Sequence, residues 1–75
     1  MRYLILENIR GYKLVDISKG GLNRQERYVI NEDGIIQGTV KDEFSDPLEA
    51  ISGLLILNSR LIKKQIMEEV KNERY

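Results

Sequence analysis

The chain reads as an α+β protein in which an antiparallel sheet of three to four strands, made of two β-hairpins, packs against one long C-terminal helix. Three observations point there. Residues 2–41 hold short apolar-alternating runs separated by Gly, Asn and Asp; Asp33-Gly34 stands between two apolar runs as a tight-turn signal; and Asp46-Pro47 opens a long segment of helical periodicity. A single domain over residues 1–75 is expected, with a sheet region over 1–44 and the helix over 45–75.

In the first strand, Arg2 to Glu7, Tyr3 and Ile5 fall on one face and Leu4 and Leu6 on the other. Apolar residues on both faces predict a central strand, buried on both sides. Asn8 to Gly11 supplies a turn, and Tyr12 to Ile17 resumes a strand with Leu14, Val15 and Ile17, so the first two strands form a hairpin. Ser18 to Gln25 reads as a flexible connection, because Gly20 and Gly21 restrict the backbone little. A third strand follows over Glu26 to Asn31, and a fourth from Ile35 to Lys41 across the Asp33-Gly34 turn. Gly38 inside that strand predicts a bulge or room for a neighbouring chain. Asp42 to Ser45 leads into the helix, with Phe44 placed to pack on its first turn.

The helix start is the best-specified point. Asp46 accepts from free first-turn amides, Pro47 sits where no amide partner is missed, and Glu49 completes a capping-box-like arrangement. An unbroken helix to Lys71 is roughly 37 Å long, more than a domain this small covers. At 100° per residue its apolar residues form two stripes. One holds Leu48, Ile51, Leu55, Ile62, Ile66 and Val70; the other, roughly 120° away, holds Ala50, Leu54, Leu57 and Leu61 at coiled-coil-like spacing. Glu49, Gly53, Arg60, Lys63, Lys64 and Lys71 share the solvated remainder.

Two apolar stripes predict two packing partners: the protein's own sheet and the same helix of a second copy. The expected self-association set is Ala50, Gly53, Leu54, Leu57 and Leu61, with Gly53 admitting a close backbone or a bend. The alternatives are one broad face buried within the monomer, or a break at Gly53 that makes Leu54 to Leu57 a strand.

Twelve basic and twelve acidic residues cancel, which removes any bulk pull toward nucleic acid or anionic lipid. The charges are segregated, however: +3 over residues 1–31, −5 over 32–49 and +2 over 50–75. The acidic segment offers Glu32, Asp33, Asp42 and Glu43 as a candidate protein-binding corner. Its spacing is not that of a calcium loop, and carboxylates near a helix start are accounted for by the helix dipole. A nucleic-acid surface is the alternative, built from Arg10, Lys13, Lys19, Arg24 and Arg27 beside Tyr3, Tyr12 and Tyr28.

The absence of both Cys and His removes disulfides, thiol nucleophiles and the commonest general base. No catalytic residue, cofactor or metal is expected. No apolar run reaches membrane-spanning length and no signal sequence is evident, so a cytoplasmic protein without membrane association is expected. The Ile-, Leu-, Lys- and Glu-rich composition with one Ala fits an AT-rich genome such as a viral one. The functional expectation is a small non-enzymatic interaction protein, homodimeric through its helix, that binds another protein as adaptor or inhibitor.

Overall fold

A computed structural model describes residues 2–73; of Ile66 and residues 68–73 it describes the helical backbone only. The elements are β1 (Tyr3–Asn8), β2 (Gly11–Asp16), a 3-10 turn (Ile17–Lys19), β3 (Leu22–Arg24), β4 (Tyr28–Asn31), β5 (Ile36–Phe44) and α1 (Pro47–Glu73). They form one five-stranded antiparallel sheet, ordered β2-β1-β5-β4-β3, with the helix across one face.

Both expected hairpins form. Gly11 and Gly34 take φ of +124° and +79°, conformations that favour glycine. In the second turn the Asn31 side-chain oxygen accepts from the Asp33 and Ile35 amides, tying the loop to the end of β4. β1 is the central strand, paired with β2 on one side and β5 on the other, and Leu4, Ile5 and Leu6 are all fully buried.

Two expectations are corrected. The segment expected to be a flexible connection holds the 3-10 turn and β3, which pairs Leu22 with Asn31 and Arg24 with Val29. The fourth predicted strand, here β5, runs on to Phe44, because Asp42, Glu43 and Phe44 pair with Ile5, Leu4 and Tyr3.

The sheet curls about the core. Its edge strands β2 and β3 would lie about 19 Å apart if it were flat, at about 4.8 Å per strand. Only residues 17–21 join them, three of these in a 3-10 turn that rises about 2 Å per residue. Two bulges in β5 supply the curvature, since Gln37 and Lys41 have no partners where the register shifts against β4 and β1. Gly38 lies between them and is buried: a Cβ there would sit 2.9 Å from Leu6 Cβ and 3.0 Å from the Glu7 carbonyl oxygen. The neighbour for which the glycine makes room is therefore β1 of the same chain.

The concave face closes on Leu4, Leu6, Val15 and Val29, flanked by Ile17, Leu22 and Val40. Arg24 and Glu43 form a two-pronged ion pair between β3 and β5, with both N–O distances at 2.7 Å. Arg24 pairs directly with Val29 and Glu43 with Leu4, so this link stands on the core side of the curl. The opposite face, carrying Ile5, Phe44 and Tyr3, receives the helix.

Candidate interaction surface

The start of α1 follows from its sequence. The Glu49 amide donates to the Asp46 carboxylate at 3.3 Å and the Ala50 amide to the Asp46 carbonyl at 3.1 Å. The helix is continuous through Gly53, so no strand forms at Leu54 to Leu57. It runs over β1, β2 and β5, and two close approaches fix its orientation. A Cβ on Gly53 would lie 2.7 Å from Phe44 Cζ and 3.4 Å from Ile5 Cδ1, and a Cβ on Gly11 would lie 3.6 Å from Leu61 Cδ2. The helix thus starts over the β5 end marked by Phe44 and heads toward the β1–β2 turn. Beyond Leu61 it continues to Glu73, about 18 Å further.

This placement reverses the two stripes. Ala50 is fully buried, and Gly53, Leu54, Leu57 and Leu61 are all partly buried on the sheet side. The residues expected to contact a second copy instead bind the helix to its own sheet. The physical reason is size: Ala50 and Gly53 let the helix axis settle against Ile5 and the Phe44 ring. What comes close to Gly53 is that ring rather than another backbone.

The other stripe points away from the sheet. Leu48 retains 71% of its exposure, Ile51 46%, Leu55 63% and Ile62 55%. Ile56 and Met67 extend it on one flank and are more than half exposed, although neither stripe read from the sequence included them. Ile66 and Val70, the remaining members of that stripe, lie outside the residues whose side chains are described. Beside Ile56 a groove of about 580 Å³ runs between the helix and β5, with Phe44, Leu48 and Leu57 in its lining and Lys41, Asp42, Glu49 and Arg60 also bordering it.

The charged candidates do not gather. Glu32 and Asp33 sit in the β4–β5 turn, whereas Asp42 and Glu43 sit near the far end of β5, about 20 Å along the strand. Glu43 is engaged by Arg24, whose hydrogen bond holds the Glu43 carboxyl below its usual range. Of the basic set, Arg10 and Lys13 lie at or near the β1–β2 turn. Lys19 lies past the opposite end of β2, Arg24 is paired, and Arg27 stands in the β3–β4 connection. Tyr3 and Tyr12 share the face of β1 and β2 on which the helix packs, and Tyr28 is exposed on β4.

Among the described residues no three acidic side chains come close enough to hold a metal ion, and no helix is long and apolar enough to cross a membrane. No protein-family model matches this chain, and neither curated protein sequences nor solved structures give a match.

Proposed function

We propose that this chain is a non-enzymatic interaction protein that acts as a homodimer through the outward face of its C-terminal helix. The observation that carries the reading is the exposed row Leu48, Ile51, Leu55 and Ile62, set along the side of the helix turned away from the sheet. With Ile56 and Met67 it leaves roughly 400 Å² of apolar side-chain surface open, at roughly 120 Å² per fully exposed aliphatic side chain. The largest apolar patch of a typical monomer is about 300–600 Å², and each partner of a standard interface contributes about 800 Å². A surface of that size on a small domain is matched by an identical surface on a second copy, and a two-fold pair buries both at once. The part of the sheet that the helix does not run over, on the side of β3 and β4, stays free in such a dimer for a further protein, the adaptor or inhibitor role. The nucleic-acid alternative draws no support from the arrangement, since the basic residues are dispersed and Arg24 is already paired with Glu43.

Sedimentation equilibrium of the wild type and of Leu55→Glu tests the reading, with far-UV circular dichroism as the control for folding. The wild type is expected to be dimeric at about 10–100 μM, and Leu55→Glu monomeric with an unchanged spectrum. A wild type that stays monomeric throughout that range refutes the proposal.

A further inference from the structure

We infer that the second copy lies antiparallel on this helix, with its Lys63 against Glu49, a conclusion that rests on the self-association proposed above. The outward row has a seven-residue repeat, Leu48, Leu55 and Ile62, with Ser52 and Ser59 at the alternate seam positions between them. That repeat defines two flanks. On the groove side the flanking residues are Glu49, Ile56 and Lys63, all exposed; on the other side they are Ile51, Asn58 and Gln65, all uncharged. The charged flank therefore decides the orientation.

In an antiparallel pair each flank faces itself in reverse order. Centring the two-fold axis at Ile56 sets Ile56 against Ile56 of the second copy, and places Glu49 against the copy's Lys63 at both ends. Leu48 of each chain is then covered by the stretch of the other helix beginning at Ile62, the part that runs out past the β1–β2 turn. The overhang and the uncovered first turns satisfy each other. In a parallel pair the charged flank faces the uncharged one, with Lys63 against Asn58, and the acidic first turns, with Asp46 and Glu49, come together at one end. Glu49 and Lys63 then meet no opposite charge across the seam, whereas the antiparallel pair joins them at both ends.

The chain has no cysteine, so introduced thiols report the orientation without background. Glu49→Cys and Lys63→Cys place single thiols on the charged flank without touching the apolar row; the mixed dimer keeps one Glu49–Lys63 pair and is the informative species. Each variant alone, and an exchanged equimolar mixture of the two, is treated with a bis-maleimide spanning about 10 Å. In the antiparallel pair identical thiols at either position are about 14 residues, or about 21 Å, apart, whereas the mixed pair is adjacent. The expected result is roughly tenfold more cross-linked dimer from the mixture than from either variant alone, in line with those separations. A mixture that cross-links less than the variants alone, in protein that sediments as a dimer, overturns the antiparallel arrangement and leaves self-association standing. Equal cross-linking in all three samples overturns it as well. Wild type that sediments as a monomer removes both conclusions.

Discussion

Gly53→Ala is expected to destabilise the protein even though alanine is the better helix former. In a helix interior the exchange is worth about 0.5–1 kcal/mol in favour of alanine. Against that, the new methyl would stand 2.7 Å from Phe44 Cζ, 3.2 Å from Phe44 Cε2 and 3.4 Å from Ile5 Cδ1. The atoms met are the far end of the half-buried Phe44 ring, so either the ring turns away from Gly53 or the helix lifts off it, and both loosen the packing of helix on sheet. Forcing an extra carbon into such a contact costs about 1–3 kcal/mol. The net loss is about 1 kcal/mol, a fall of about 4–8 °C in melting temperature for a domain of this size. Thermal melts followed by circular dichroism, all at one protein concentration, give the value. Phe44→Leu supplies the control, since shortening the ring removes the nearest atoms and lets the helix-propensity gain through. In that background Gly53→Ala should stabilise by about 0.5 kcal/mol, so the two substitutions couple by more than about 1 kcal/mol. A higher melting temperature for Gly53→Ala with Phe44 in place would refute the placement of helix on ring.

Gly38→Ala should be more damaging, by about 2–3 kcal/mol, because the atoms it meets include the Glu7 carbonyl oxygen of the central strand; a urea midpoint equal to wild type would contradict this. Leu57→Lys should unfold the chain while Leu55→Lys leaves the fold intact and yields monomer, and the reverse outcome in circular dichroism and sedimentation would exchange the two helix faces. Asp46→Ala should lower stability by about 1 kcal/mol through loss of the cap, read as a lower melting temperature. The carboxyls of Glu43 and Asp16 are both held below their ordinary range, chiefly by side-chain hydrogen bonds from Arg24 and from the Ser18 hydroxyl. The folded state therefore binds fewer protons there than the unfolded state. The associated stability is fully present above the unfolded values near pH 4 and is lost as pH falls through the lower folded ones. Melting temperature should drop between about pH 5 and pH 3, and Arg24→Ala should make that drop shallower; an identical acid limb would rule out the Arg24 link.

The elements legible in the sequence are those whose cause is local. Tyr3 to Leu6 announces a strand buried on both faces, Asp33-Gly34 a hairpin, and Asp46-Pro47 a helix start, and all three form. β3 was not legible, because three residues with one inward-facing Leu22 carry no period, and their strand character comes from pairing with β4. Nor was the end of β5, where Asp42 and Glu43 resemble a polar lead-in and are strand only because β1 lies beside them. For the helix, the existence of two apolar stripes could be read but not which one the sheet takes. Ala50 and Gly53 were the available signal: a stripe with small residues packs closest, and here it packs on the chain's own sheet. The acidic candidates do not share one corner, since a nine-residue strand carries its two ends far apart.

The position of β1 also governs when the protein can fold. As the first strand in sequence and the middle strand in space, it takes one neighbour immediately, from β2, but has to wait for residues 36–44 before its other edge is paired, and for α1 before Ile5 is covered. During synthesis the most apolar strand is therefore exposed along one edge until Phe44 has left the ribosome. Of the strand pairings, β1–β5 closes the longest stretch of chain and so carries the largest loop-closure entropy. A nascent chain stalled before Phe44 carries an open, sticky edge, and that interval, rather than any weakness of the finished fold, is when aggregation threatens it most.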